Sequence, residues 1–350
     1  MLKAKLNCER DKRMKTINTK TVLVLLLGFS ISLSSCKKNK YSSEELIQME
    51  LDEAVKKNYD GAILCVHNAD ETKLYTAGYK ERDLQIPASA DDLFKIASIS
   101  KLYIAVACAK LINDGTLDKN KSVAEYLPHL ADRIENSTDI SLRMLIQHRS
   151  GIPNFTDDSN YPWDEPFATV EETLEFSLDK PADFKPDKRR KYSNTNYLLI
   201  GEILNHELGY HHQTYIKSKI LIPLNLQNTY GSMSQADTDK MMSGYFEGYE
   251  PDIKNNDFVA PGGSMVGTAE DVAIFLSALN EGTLLNDNEQ SVYNSLYELE
   301  HTGLLPGYQS IARYHEDIQT SVVLFVNRSG ENTWLRFERL YKRIVRHVKR

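Results

Sequence analysis

A serine and a lysine three residues apart, Ser98 and Lys101, are the pair in this sequence best suited to nucleophilic chemistry. If a helix begins near Ser98, the two side chains lie on one face, one turn apart. A serine hydroxyl is a weak nucleophile until a neighbouring base takes its proton. A lysine can be that base only when burial or nearby charge lowers its pKa. Backbone N–H groups at the start of such a helix can also bind an oxyanion.

The run after Ser98 predicts a buried helix. Apolar residues recur at helical spacing from Leu102 to Ile112, and residues 113–115 end the run with a glycine suited to a left-handed cap. A lysine at the mouth of a buried helix needs a partner or a function, because an isolated buried charge is costly. The alternative for an arbitrary Ser-x-x-Lys match is a helix cap beside a solvated charge.

Two further motifs follow in the chain. Tyr-Ser-Asn at 192–194 precedes a helix predicted over 196–208, and Glu-His-Thr-Gly at 300–303 precedes two late strand-like runs. Ser-x-x-Lys with Ser-Asp-Asn and Lys-Thr-Gly marks β-lactamases and penicillin-binding proteins. The sequence resembles the branch in which Tyr-x-Asn replaces Ser-x-Asn, which includes class C β-lactamases, D-Ala-D-Ala carboxypeptidases, D-aminopeptidases and esterases. The stretches 145–153 and 261–265 look like two more family signatures, and the resemblance runs from about residue 44 to the C-terminus.

This resemblance implies a catalytic role for three residues. Ser98 would attack a carbonyl and form an acyl-enzyme, and Lys101 would accept or stabilise the transferred proton. Tyr192 beside a cation would have its pKa drawn down and would act as base and then as acid. Whether Lys101 or Tyr192 is the formal base stays open, because coupled groups can share the role. Asn194 would hydrogen-bond the acyl side chain of the substrate.

The third motif would form the other wall of the site. By the same resemblance, the backbone N–H groups of Ser98 and Leu304 would form the oxyanion hole. His301, Thr302 and Gly303 would bind the substrate on its leaving-group side. A histidine in place of the usual lysine substitutes a pH-dependent charge for a fixed one, which lowers the expectation of efficient β-lactamase activity.

The predicted fold class is α+β and β-lactamase/transpeptidase-like. One antiparallel sheet is expected from both chain ends, with flanking helices and a helical lobe inserted at about 117–250. The segments expected to form the sheet and its flanking helices are strands at 61–66, 73–79, 308–314 and 320–327 and helices at 44–57 and 333–349.

The N-terminal segment has the layout of an export signal. Residues 1–36 combine a basic start, a short apolar core and a lipobox-like end, which predicts a lipoprotein signal peptide with Cys36 as the lipidated residue. A plain signal peptide is the alternative, and Met14 is an alternative start. Residues 37–43 would be a tether and 44–350 the hydrolase domain. The protein is therefore expected to be an exported bacterial lipoprotein, anchored to a membrane in the periplasm or at the cell surface.

Composition excludes several other classes. The 350 residues are 41% hydrophobic and 26% charged, which is typical of a globular protein with one large domain or two intimate ones. The formal net charge of -7 gives no basic footprint for nucleic acid. His206 and His211 are five residues apart rather than four, so they do not match a zinc-protease motif. No metal or cofactor is expected, and Cys65 and Cys108 are expected to be buried free thiols.

The function expected from these observations is serine hydrolysis through an acyl-Ser98 intermediate. D-amino-acid peptide amides of the cell wall, as for a D-Ala-D-Ala carboxypeptidase, are the leading substrates, with esterase or β-lactamase activity as alternatives. A non-catalytic cell-wall binding protein is the alternative from another class. The expected partners are a small-molecule or peptide substrate, such as peptidoglycan peptides or β-lactams, and a membrane through lipidated Cys36.

Overall fold

The computed structural model describes residues 41–350. The predicted signal peptide, Cys36 and residues 37–40 of the tether lie outside the described residues. The helices are α1 Ser43–Lys57, α2 Ser100–Asn113, α3 Val123–Tyr126, α4 Leu142–Ile146, α5 Val170–Leu174, α6 Thr195–Leu208, α7 His212–Ile216, α8 Ala269–Asn280, α9 Asp287–Asn294 and α10 Thr333–Val348. The strands are β1 Gly61–His67, β2 Thr72–Glu81, β3 Ile86–Pro87, β4 Phe94–Lys95, β5 Thr229–Tyr230, β6 Tyr245–Phe246, β7 Val266–Gly267, β8 His301–Leu305, β9 Tyr308–His315, β10 Thr320–Val326 and β11 Arg328–Ser329.

The main sheet joins the two ends of the described chain. Its six strands run in the order β3-β2-β1-β10-β9-β8, and each neighbouring pair is antiparallel. β1 pairs with β10 along residues 62–67, so an early strand lies directly beside a late one. The expected α+β class and the antiparallel sheet built from both chain ends are confirmed.

Alternate residues of the two central strands enter different cores, because successive side chains of a strand point to opposite faces. Ala62 and Leu64 pack with the apolar stripes of α1 and α10, including Leu51 and Phe337. Ile63 and Cys65 face the larger core formed with α2 and α8. The sheet is thus covered on both faces, which explains why β1 and β10 are almost wholly apolar.

The inner core places the helix that follows Ser98. α2 is buried over most of its length, and Tyr103 stacks on Phe275 of α8 with ring centroids 3.7 Å apart. β4 pairs with β7, which brings the loop at 261–265 beside the start of α2. Between 117 and 250 the described chain forms helices and turns with strands of two residues. Within residues 41–350, no helix has both the length and the apolar character needed to span a bilayer.

Removal of the Asp60 carboxylate is predicted to lower the free energy of unfolding, because Asp60 directly precedes β1 of the main sheet. Asp60 precedes β1, its side chain is only 7% exposed, and Arg328 of β11 donates to both of its oxygens at 2.8 and 2.9 Å. Asp60→Ala would leave a half-buried guanidinium unpaired, so urea unfolding should show a loss of about 3 kcal/mol. Asp317→Ala, in the exposed pair with Lys349, should cost far less, because exposed ion pairs contribute little to stability. Equal losses for the two variants would contradict this account.

Candidate active site

Ser98 lies at a sharp corner between a strand and a helix. β4 ends at Lys95, residues 97–99 form a 3-10 turn, and α2 begins at Ser100, two residues later than the sequence suggests. Ala97 has φ +53°, a left-handed conformation that is unusual for a residue with a side chain. The Ser100 hydroxyl donates to the Ala97 carbonyl at 2.6 Å and accepts from the Met265 N–H at 3.3 Å. These bonds hold the corner and leave Ser98 partly exposed.

Lys101 contacts Ser98 from within the core. Its Nζ lies 3.1 Å from Ser98 Oγ, 2.9 Å from Asn194 Oδ1 and 2.7 Å from the Gly262 carbonyl oxygen. The side chain is 1% exposed, and among the described residues no carboxylate forms an ion pair with it. Burial without a countercharge lowers the pKa of Lys101 to about 7. The condition for a lysine base is therefore met.

The contacts of Lys101 also orient its lone pair. A neutral amine has two N–H groups and one lone pair. Asn194 Oδ1 and the Gly262 carbonyl accept the two N–H groups, so the lone pair remains for the Ser98 hydroxyl. Gly262 has φ +77°, and a Cβ there would lie 2.9 Å from Lys101 Cγ. A glycine therefore allows this carbonyl to approach the lysine so closely.

Tyr192 reaches the same serine from the cleft side. Its hydroxyl donates to Ser98 Oγ at 2.8 Å. Burial raises the pKa of Tyr192, and this effect outweighs the hydrogen bond to Ser98, which lowers it. The expectation of a lowered Tyr192 pKa is therefore wrong, since desolvation disfavours a phenolate. At neutral pH Tyr192 is a phenol and a hydrogen-bond donor.

Asn194 contacts the lysine through its side-chain oxygen, and its role in substrate binding stays a prediction. Its Oδ1 accepts from Lys101, and its backbone N–H donates to Asn154 Oδ1 at 2.9 Å. The Nδ2 group donates over a long 3.5 Å to Thr156 Oγ1 on the cleft wall. Of the predicted substrate contact, the Nδ2 group is the part that remains available.

His301 lies at the start of β8 and is neutral. Its Nδ1 is 2.6 Å from the Thr302 carbonyl oxygen, which can only accept, so Nδ1 carries the proton. Its Nε2 then accepts from the Tyr297 hydroxyl at 2.9 Å. Burial, followed by the nearby Lys101, lowers the pKa of His301 to about 4. The expectation of a pH-dependent charge on His301 is therefore wrong near neutral pH, where His301 is an uncharged residue that lines the cleft.

The rest of the third motif lies against the serine corner. A Cβ on Gly303 would lie 2.4 Å from the Ile96 carbonyl oxygen and 2.9 Å from Ala97 Cβ, so β8 can pack there because residue 303 is a glycine. Thr302 and Leu304 line the same cleft as Ser98. The roles of the Ser98 and Leu304 N–H groups as an oxyanion hole stay a prediction.

Ser98 opens into a cleft of about 1170 Å³ with aromatic walls. Both tryptophans of the chain, Trp163 and Trp334, lie along it. The described lining residues include the carboxylates Asp164 and Glu331 but no lysine or arginine. The described lining of the cleft therefore offers mainly apolar surface, and Arg190 acts electrostatically on Tyr192 and His301 from outside that lining.

Two positions were missed by reasoning from the sequence. His148 and Gly262 fall within the stretches 145–153 and 261–265, which look like family signatures but received no role. The structure places the Gly262 carbonyl on Lys101 and the His148 ring against Tyr192, with ring centroids 4.3 Å apart. A histidine followed by Arg-Ser-Gly and a Pro-Gly-Gly loop were the available signals.

Comparison with known protein families identifies the family of this chain. The sequence model of the β-lactamase family matches residues 47–299. The chain belongs to the β-lactamase family. This match and the similarity to penicillin-binding protein 4* place the chain among the relatives of β-lactamases and penicillin-binding proteins.

Individual relatives agree with this assignment. Penicillin-binding protein 4* of Bacillus subtilis is 25% identical over 228 residues, which cover 64% of this chain but 49% of that protein. D-amino acid amidase from Ochrobactrum anthropi SV3 superposes with a TM-score of 0.77 at 25% identity, covering 88% of this chain and 98% of the amidase. A class C β-lactamase from Rhodobacter sphaeroides, at 19% identity and a TM-score of 0.69, covers 87% of this chain and 99% of its own, and it shows the fold alone. The chain spans less than two thirds of the first curated relatives it matches.

The rate at which Ser98 is labelled is predicted to rise as Lys101 loses its proton. Because the Lys101 pKa lies at about 7, the rate of reaction with a fluorophosphonate probe should rise from low pH, pass its midpoint near there and level off above it. Lys101→Met should lower the plateau by about 100-fold or more. Intact-mass measurements between about pH 5.5 and 9 provide the profile. A flat profile would contradict a role for the Lys101 amine.

Gly303→Ala is predicted to disturb the serine corner. The added methyl would lie 2.3 Å from Ser310 Oγ as well as close to backbone, so labelling should slow by about tenfold and Tm should fall. Gly263→Ala is the matched control, since the nearest atom to its Cβ would be 3.5 Å away. Comparable rates for Gly303→Ala and the wild type would show that β8 does not constrain Ser98.

Proposed function

We propose that this protein hydrolyses amides through an acyl-Ser98 intermediate, with Lys101 as the base and Tyr192 as a hydroxyl donor. The observation that carries the proposal is the hydrogen bonding of Lys101. In the neutral amine its two N–H groups are accepted by Asn194 Oδ1 and the Gly262 carbonyl, and its Nζ lies 3.1 Å from Ser98 Oγ.

Acylation follows from these contacts. Ser98 Oγ attacks the carbonyl carbon while its proton moves to Lys101 Nζ, which gives a tetrahedral oxyanion beside an ammonium. The carbon–nitrogen bond then breaks, and the leaving nitrogen takes a proton from the Tyr192 hydroxyl. The Tyr192 phenolate then takes the proton held by Lys101, which restores both groups to their starting states. The leaving amine thus departs with one added proton, and Ser98 carries the acyl group.

Deacylation uses the same groups in reverse. A water molecule attacks the ester carbonyl, gives one proton to the Lys101–Tyr192 pair and releases the acid as Ser98 Oγ regains its proton. The sum of both steps is one amide and one water converted to one acid and one amine. Lys101 and Tyr192 end in their starting protonation states.

The charge of the cleft supports a substrate without a carboxylate on the leaving group. His301 is neutral, and the described lining residues provide no lysine or arginine. D-amino-acid amides, whose leaving group carries no carboxylate, fit this surface best, and a D-amino acid amidase is among the structural relatives. The D-Ala-D-Ala carboxypeptidase-like substrate expected from the sequence is the second candidate, favoured by the similarity to penicillin-binding protein 4*.

The place of action is proposed from the sequence alone. The layout of residues 1–36, with Cys36 at the end of the lipobox-like stretch, supports an exported lipoprotein that works at a membrane surface. Cell-wall peptides and their breakdown products would then be within reach of the cleft.

Ser98→Ala is predicted to lose at least about 1000-fold of the hydrolysis of any substrate found. Liquid chromatography of reactions with D-phenylalanine amide, for residues 41–350 of wild type and variant, measures this loss. Intact mass should show an adduct of a fluorophosphonate probe on the wild type alone. Undiminished hydrolysis by Ser98→Ala would rule out the acyl-enzyme mechanism.

The charge of the leaving group is predicted to matter. Acetyl-D-alanyl-D-alanine and its C-terminal amide share the scissile bond and differ in a carboxylate against a carboxamide. Because the cleft provides no described lysine or arginine for the carboxylate, kcat/KM should favour the amide by at least about fivefold. A preference for the free acid would instead support carboxypeptidase activity. Benzylpenicillin, which also carries a carboxylate, should acylate Ser98 slowly.

A further inference from the structure

His148 encloses the backbone on both sides of Tyr192. The Lys191 N–H donates to the His148 carbonyl at 2.9 Å, and the Ser193 N–H donates to His148 Nδ1 at 3.2 Å. Between these two bonds, the His148 ring packs on the Tyr192 ring with centroids 4.3 Å apart and planes tilted by 30°. The His148 carbonyl therefore fixes Lys191, while the His148 side chain fixes Ser193 and the Tyr192 ring.

The protonation state of His148 follows from the same contacts. Nδ1 accepts from a backbone N–H, so the ring proton is on Nε2. Burial, with smaller effects from Lys101 and Arg190, lowers the pKa of His148 to about 3. The ring is neutral at physiological pH and adds no charge beside the phenol.

This arrangement is costly for stability. His148 is fully buried, and its Nε2 has no hydrogen-bond partner among the described residues. Its backbone has φ +58°, in the left-handed region. An unsatisfied buried donor and a left-handed non-glycine residue each cost free energy, and such features concentrate at functional sites. The cost is explained if the ring serves the reaction rather than the core.

We propose that His148 is a positioning residue that holds the Tyr192 hydroxyl within bonding distance of Ser98. It does not touch the reacting atoms. It acts by limiting rotation of the phenol ring and by fixing the chain at 191–193. The inference rests on the proposed function, because Tyr192 must donate in the reaction for its position to affect the rate.

A double-mutant cycle separates positioning from general structure. His148→Asn keeps an acceptor in the place of Nδ1 and tolerates a positive φ, whereas His148→Ala removes both contacts of the side chain. With D-phenylalanine p-nitroanilide, His148→Ala should lower kcat by at least about tenfold with KM changed less than about twofold, and His148→Asn should be intermediate. In a Tyr192→Phe background, either change should lower kcat by less than about twofold further.

The opposite pattern would overturn the proposal. Equal factors in the wild-type and Tyr192→Phe backgrounds would mean that His148 supports the whole site rather than Tyr192. A raised KM with unchanged kcat would instead identify His148 as a residue that contacts the substrate. Thermal unfolding of each variant identifies any variant that fails to fold. If His148→Ala does not fold, His148→Asn still provides the test.

A second measurement does not depend on activity. In crystal structures of the two His148 variants, the distance from Tyr192 Oη to Ser98 Oγ should lengthen from 2.8 Å to beyond hydrogen-bonding range for His148→Ala. An unchanged distance would reject the proposal even if the nitroanilide is not a substrate. Failure of the proposed function would instead appear as wild-type Ser98 that reacts with no acylating probe.

Discussion

The burial of one amine, that of Lys101, determines how this site works. A lysine removed from water without a countercharge loses most of its affinity for a proton, and here the pKa falls to about 7. Burial of the Tyr192 ring likewise keeps the phenol protonated, because desolvation disfavours the phenolate. In the proposed mechanism, desolvation thus separates the roles that the sequence left shared between two residues, with the amine as proton acceptor and the phenol as proton donor.

The geometry around that amine is supplied by distant parts of the chain. The Gly262 carbonyl comes from a loop held by pairing of β4 with β7, and Asn194 comes from the start of α6. β8 approaches the serine corner because Gly303 has no side chain. Each element packs against the corner through backbone or small residues, so little space remains for rearrangement. Such preorganisation favours catalysis by fixed dipoles.

Prediction from the sequence succeeded where pattern and chemistry agree. The apolar runs of β1 and β10 indicated the sheet, and the Ser98–Lys101 spacing indicated that the hydroxyl and the amine lie in contact, because both depend on local periodicity. It failed for the Tyr192 pKa and the His301 charge, since both depend on burial by residues far away in sequence. The role of His148 was missed because its contacts with residues 191–193 arise only in the folded chain. The charge of the cleft likewise depends on segments that meet only after folding.

The sheet that joins both chain ends has a consequence for biogenesis. Residues 62–67 pair with residues 321–326, so the central strand pair closes a loop of some 250 residues. Such non-local pairing makes folding slow, and β1 stays without its central partner until nearly the whole chain has emerged. A chain that crosses a membrane through a narrow pore must remain unfolded during passage. This topology therefore postpones the pairing of β1 with β10 until late in synthesis. Such late pairing is compatible with the export proposed from the layout of residues 1–36.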